Sequence, residues 1–230
     1  MAKTFTKLGK QITVAAKQGG PDPDTNPTLR GIIETCKREN MPKDNVERAI
    51  KKAMGDDQKD YEPMTYEGYG PHGVAILVDT LTDNPTRTVG DVRSVFNRFD
   101  GNLGTMGSLA FIFNHRAVFT FKKPDDLDIE ELILDMIDYG MDEDYEEDEE
   151  EGTITVNGDP KSYGAMQKYL EEKGYKEVGG DFAYFPTTLT SVTDEQRQTI
   201  EDMIERLEDF EDVQHVYTNM EPSDDEDDEE

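Results

Sequence analysis

The chain has 230 residues, with 53 Asp and Glu against 24 Lys and Arg, and its formal net charge is −29. That length fits one to three domains, and apolar runs as short as VAILV and LAFIF exclude a membrane-spanning helix, which needs ~18 such residues. The single cysteine, Cys36, excludes an internal disulfide and suits a reducing compartment, so a cytoplasmic protein is expected.

The charge is segregated. Residues 1–60 carry 12 basic and 9 acidic side chains, residues 61–123 carry six of each, and residues 124–230 carry six basic and 38 acidic ones. Such asymmetry points to a basic front that meets a polyanion and an acidic rear that does not.

Phe5, Leu8, Ile12 and Ala16 recur at helical spacing up to Gly19-Gly20. At ~100° per residue, Lys3, Lys7, Lys10 and Lys17 fall together on the opposite face. Asn26-Pro27, a cap residue followed by Pro at the first helical position, opens a second helix that buries Leu29, Ile32, Ile33 and Cys36. A third begins at Pro42, with Lys43 in its first turn. It buries Val46, Ala49, Ile50 and Ala53, and Arg48, Lys51 and Lys52 stand on its far side.

GVAILVDTLT (73–82) then reads as a buried strand. Asn84-Pro85 starts a helix with Val89, Val92, Phe96 and Phe99 inward, and its Arg87 and Arg98 extend the basic surface. The Gly-rich turn DGNLGTMGS leads into predicted strands LAFIFNH and AVFTF, followed by a helix with Ile129, Leu132, Ile133, Met136 and Ile137 on one face. Two strands around the acidic run DEDYEEDEEE come next, then a helix at 160–173 and strands at 181–185 and 187–191. Thr193 and Gln196 form a capping-box pattern ahead of a helix that buries Ile200, Met203, Ile204 and Leu207. VQHVYT (213–218) is the last strand, and EPSDDEDDEE is too charged to pack.

The order after residue 73 is thus β-α-β, β-α-β-β-α-β, β-α-β. The middle group is a complete split βαβ unit, and the outer triplets combine into a second one. The predicted fold class is α+β: a three-helix basic domain over 1–60, then two ferredoxin-like domains, one inserted in the other. Residues 61–114 with 187–220 form the discontinuous domain, 115–186 the acidic insertion, and 221–230 a disordered acidic tail.

Few motifs point to chemistry. Gly68, Gly70 and Gly73 match G-x-G-x-x-G, but no strand is predicted before them and no helix after, so the dinucleotide fingerprint fails. DPDTNP (22–27) imitates a calcium loop, yet Pro27 and Ile33 occupy the positions that need Gly and Glu. His72, His115 and His215 are scattered, so no zinc site is expected, and Cys36 on an apolar face reads as a buried, inert thiol. Neither a cofactor nor an enzyme activity is expected. The basic side chains remain, because Lys and Arg supply sequence-independent affinity for phosphates.

MPKDNVERAIKKA, YEGYGPHGVAILVDTLTDNPTRT, GNLGTMGSLAFIF and VQHVYTN, in that order, resemble the characteristic segments of the YebC family. Its relatives include a mitochondrial translational activator of cytochrome oxidase. The resemblance spans about residues 4–220 and implies a helical N-terminal domain, two α/β domains and no enzymatic activity. The matching positions are Pro42, Lys43, Asn45, Glu47, Arg48 and Ile50, then Thr82, Asn84, Arg87 and Thr88. Family members begin with a basic arm holding a Ser-Lys-Trp-like segment, whereas this chain begins MAKTFTKLGK and contains no Trp. The family has been labelled as DNA-binding transcriptional regulators, and it is also linked to the ribosome and the translation of difficult stretches.

Three readings follow. The first is a transcription-type regulator gripping duplex DNA through the N-terminal helices, the second a ribosome-associated translation factor holding ribosomal RNA with the same surface. The third is an acidic protein-interaction module. No self-association seam is apparent, so a monomer is expected.

Overall fold

Three helices open the computed structural model, which describes residues 2–56 and 60–223: α1 (Ala2–Gly19), α2 (Pro27–Arg38) and α3 (Lys43–Ala53). The buried side chain of Asn26 joins the first two. Its Nδ2 donates to the carbonyls of Ala15 and Gly20, 2.8 Å each, and its Oδ1 accepts from Leu29 N at 3.1 Å. One amide therefore closes the end of α1 and caps the start of α2.

Cys36, on the inner face of α2, is fully buried, and burial pushes its thiol up to about 11. Ionisation alone then cuts the thiolate fraction at pH 8 by about a hundredfold relative to an unperturbed cysteine. Native protein is expected to leave a disulfide-exchange thiol reagent almost unconsumed over minutes and to react fully once unfolded in guanidinium; rapid native labelling would contradict this burial.

The chain continues as β1 (Glu62–Tyr69), β2 (Ala75–Thr82), α4 (Pro85–Arg98), β3 (Asn102–Leu103), β4 (Phe113–Lys122), α5 (Ile129–Ile137), β5 (Met141–Asp148), β6 (Thr153–Gly158), α6 (Tyr163–Glu172), β7 (Gly179–Pro186), α7 (Asp194–Glu208) and β8 (Val213–Thr218). The fold is α+β, with N-terminal helices followed by two four-stranded sheets. Of the described residues, 2–7, 60–114 and 184–223 form one compact unit, and 8–56 with 115–183 form another.

In the first unit the antiparallel sheet runs in the order β3-β1-β2-β8. One face packs on α4 and α7 through Tyr66, Ile76, Val78, Phe96, Ile200 and Met203. The other face lies under Leu109, Ile112 and Phe113, which meet Ala75 and Leu77. Burial on both faces explains why β2 opens on the apolar run Ala75–Val78 rather than alternating.

The strand layout is that of a split βαβ sheet, but the segment expected to fill one slot is different. That slot belongs to β1, a strand absent from the sequence reading, whose full length pairs with β2 from Glu62↔Thr82 to Tyr69↔Ala75. Gly68 is needed there, since a Cβ would stand 2.4 Å from Asn102 O on the neighbouring strand. Residues 187–191 form no strand; they contribute a single bridge, Thr190↔Met220. LAFIF also fails as a strand. It is a series of tight turns, with Ile112 N bonded to Leu109 O at 2.9 Å and Phe113 N to the same oxygen at 3.2 Å. The strand itself starts at Phe113 and runs through His115 into AVFTF without a break.

Beneath those turns lies Glu67, buried on β1. Its two carboxylate oxygens accept from Gly107 N at 3.0 Å and Leu109 N at 2.6 Å, and its carbonyl accepts from Gly104 N at 2.8 Å. Gly107 occupies a left-handed conformation, φ +83°, which a side chain would strain.

The second unit contains the complete split βαβ group, with sheet order β5-β6-β4-β7. Phe119, Phe121, Ile154 and Val156 from its strands meet Leu132 and Met136 of α5 and Met166 and Leu170 of α6. Helix α2 is held to this group. Arg30 donates to Glu171 through Nε at 2.7 Å and Nη2 at 3.2 Å, while Gln167 Nε2 donates to Pro27 O at 2.9 Å. From residue 224 on, the predicted acidic tail lies outside the described residues.

Candidate nucleic-acid interface

The ten basic residues singled out from the sequence are distributed over both units, and their surroundings differ sharply. Lys3 and Lys7, at the start of α1, belong to the first unit. Lys3 pairs with Asp209 just past α7, and Lys7 Nζ donates to Gln214 O on β8 at 3.2 Å. Burial lowers the Lys7 pKa, against the opposing pull of Glu208. Lys10 is only 8% exposed, which corrects the expectation of a solvated lysine stripe. The helical wheel anticipated one covered face, but Thr13, at a different angle, is buried as well as Leu8 and Ile12, so the covered arc extends round to Lys10. Lys17, in the last turn, is half-buried.

On α3 the expected arrangement holds. Arg48, Lys51 and Lys52 are all exposed, and their i, i+3, i+4 spacing puts them on one face. Lys51 and Lys52 also occupy the last turn, where the helix dipole favours cations, and Asp44 occupies the first, where it favours anions. Lys43 lies 3.5 Å from Glu47, an exposed pair worth little in water.

Arg87, on α4, is committed elsewhere. Its Nη2 donates to Asp212 at 2.6 Å and to Asp83 at 2.9 Å. Those two hydrogen bonds, Asp212 first, raise its pKa further above the usual arginine value. Asp212 is buried and also faces two hydroxyls: Thr88 Oγ1 lies 2.9 Å from the same carboxylate oxygen and 2.7 Å from Thr82 Oγ1. Asn84 completes the corner by capping α4, accepting from Arg87 N at 3.1 Å. The TLTDNPTRT segment is therefore a hydrogen-bonded corner between β2 and α4. Asp212 was not identified from the sequence; it is one carboxylate among 53, and nothing in its local pattern marks it as buried. Arg98 is exposed in the last turn of α4.

Among the described residues, no group of three or more His, Cys, Asp or Glu is arranged to hold a metal ion, and no helix is long and apolar enough to cross a membrane.

Residues 1–56 match the family model described as the TACO1/YebC protein N-terminal domain, and residues 61–220 match the TACO1/YebC second and third domain. A protein of Phocaeicola vulgatus named "Probable transcriptional regulatory protein" is 70% identical, the match covering 98% of this chain and 92% of that one. One of the same name from Bacteroides thetaiotaomicron is 70% identical over 96% of this chain and 90% of its own. Among solved structures, the crystal structure of the conserved hypothetical protein Aq1575 from Aquifex aeolicus superposes with a TM-score of 0.81 at 34% identity, covering 97% of this chain and 91% of that one.

Proposed function

The chain belongs to the TACO1/YebC family, and from that footing we propose that it is a non-enzymatic regulator of gene expression that binds nucleic acid through α3. The observation that carries this is the cluster of Arg48, Lys51 and Lys52, exposed together on one helix of a chain with net charge −29. Cations in that setting attract phosphates wherever the carboxylates elsewhere do not repel them, which also orients the polyanion. In this reading the protein is a cytoplasmic monomer, and Arg98 adds a further phosphate contact.

The names of the relatives support a role in transcription regulation, and duplex DNA is the target such a role would call for. One observation favours ribosomal RNA instead: among its residues α3 has a single Asn and no Gln, and that residue, Asn45, is half-buried while the cations are exposed. Groove readout relies on such side chains to pair with base edges, whereas phosphate contact does not. The deciding experiment is sedimentation with ribosomes through sucrose, run beside binding to promoter duplexes. Comigration lost in an Arg48→Glu/Lys51→Glu/Lys52→Glu variant supports the RNA reading, and sequence-selective duplex binding lost in that variant supports the DNA reading. Binding to neither, or binding that the variant retains, would overturn the assignment to α3.

A further inference from the structure

Residues 115–183 carry 21 acidic and seven basic side chains, yet one helix face within them is not wholly polar. Helix α5 spends its inner face, Leu132 and Met136, on the core of the second unit. Its flank towards α6 is also taken, because Asp135 accepts from Tyr169 Oη at 2.8 Å and from Lys173 Nζ at 2.9 Å. The remaining face shows Leu134, 70% exposed, and Ile137, also exposed, among the exposed carboxylates of Glu130, Glu131 and Asp138. At ~100° per residue Ile137 lies on the flank opposite Asp135, away from α6. Helix α5 packs against β5, an edge strand of its sheet. On β5, Tyr145 pairs with Val156, a core residue of the helix-covered face, so the exposed Tyr145 ring belongs to that face too.

We propose that this α5 face docks a basic, amphipathic segment of a protein partner, with an apolar side chain on Leu134 and Ile137 and Lys or Arg over the surrounding carboxylates. The surface and the force are separate from those of α3, and the proposal stands without the nucleic-acid reading. Charge selects the occupant. Residues 142–151, on β5 and the turn after it, place nine carboxylates in ten positions, a field that repels a polyanion and draws in a cation. Lys123 and Lys173 each offset one carboxylate in the region, Glu147 and Asp135, which leaves the balance strongly negative. The apolar side chains then select the kind of cation. Among the described residues no group of His, Cys, Asp or Glu is arranged to hold a metal ion, and a small polyamine would leave Leu134 and Ile137 in water. A protein segment that covers them gains the hydrophobic term as well, with the charges as a rim around an apolar centre. This is the arrangement by which an amphipathic helix is read through its anchors. A second copy of this chain brings the same net charge of −29 and is repelled.

Binding of the full chain to two fluorescein-labelled synthetic peptides, followed by anisotropy at physiological salt, tests the proposal. One peptide is an amphipathic helix of about 15 residues, with leucines along one side and lysines flanking them. The other keeps every lysine and replaces each leucine by alanine. Wild type is expected to bind the leucine peptide roughly tenfold or more tightly than the alanine one. Leu134→Ser should abolish that preference and leave the weak affinity common to both. Glu130→Gln/Glu131→Gln/Asp138→Asn should weaken both peptides, and the difference from wild type should shrink as salt is raised. Since Leu134 is exposed, the thermal midpoint of Leu134→Ser should match that of wild type. Equal affinity of wild type for the two peptides, or a preference that survives in Leu134→Ser, would overturn the docking face. So would a concentration-dependent dimer in sedimentation velocity that Leu134→Ser removes, which would make the face a contact between copies. Arg48→Glu/Lys51→Glu/Lys52→Glu should not weaken either peptide, so a failure of this proposal and a failure of the α3 reading are told apart.

Discussion

Arg87→Ala is expected to lower the free energy of unfolding by about 3–5 kcal/mol, although the arginine side chain is itself 45% exposed. Most of the cost comes from the partner. Asp212 has a side chain only 9% exposed, and without the guanidinium its carboxylate stays buried with two threonine hydroxyls as company. A buried charge left uncompensated is penalised more heavily than the pair was rewarded. Asp212→Asn placed on top of Arg87→Ala should therefore recover part of the loss, because the orphaned charge is gone while the hydroxyls keep a polar partner. The two changes are non-additive for that reason. Urea unfolding of the single and double variants measures it. A loss below about 1 kcal/mol, the range of an exposed ion pair, would mean that Asp212 is solvated in solution. Nucleic-acid affinity at a temperature where Arg87→Ala remains folded should be unchanged, since its guanidinium is engaged by Asp83 and Asp212.

Glu67→Ala is expected to cost a similar amount, about 3–5 kcal/mol, because two charge-assisted hydrogen bonds of roughly 1.5–3 kcal/mol each are lost together. The amide of Leu109 is buried and would have no replacement acceptor. Glu67→Gln keeps one oxygen acceptor and turns an NH₂ towards the other amide, so it should fall about midway. Hydrogen exchange locates the effect: the amides of Gly107 and Leu109 should lose protection in both variants before the β1–β2 pairing does. Uniform loss of protection across the sheet would show instead that Glu67 supports the whole unit rather than the loop.

The helices were legible because their signals are local. Asn26, Asn84 and Thr193 each cap the helix they were assigned to, and all three side chains accept from the expected backbone amide. β1 was missed because EPMTYEGY contains Pro, Gly and two Glu and few β-branched residues. It is a strand because β2 and β3 pair with it on both edges, and long-range pairing leaves little trace in composition. LAFIF misled in the opposite way, being apolar enough for a strand. Its buried residues, Leu109, Ile112 and Phe113, follow a 3, 1 spacing that belongs to turns of helical type, and that period was the available clue.

Of the candidate site, the α3 cations could be read from the helical wheel because one face of a short surface helix is all they require. The lysines of α1 could not, since their fate depends on Asp209, Gln214 and the extra burial around Lys10, all more than a hundred residues away or set by packing. Arg87 looked like a basic surface residue for the same reason: Asp212, which engages it, lies 125 residues further along the chain.

The central claim is that α3 holds phosphates, and counterion release measures it most directly. The logarithm of the association constant for RNA is plotted against the logarithm of salt concentration for wild type and for Arg48→Glu/Lys51→Glu/Lys52→Glu. Each lost contact should remove about 0.7 from the slope on a single strand and about 0.9 on a duplex. The account predicts weaker binding with a slope shallower by about 2–3. Parallel lines of equal affinity would contradict it and place the contact elsewhere on the chain.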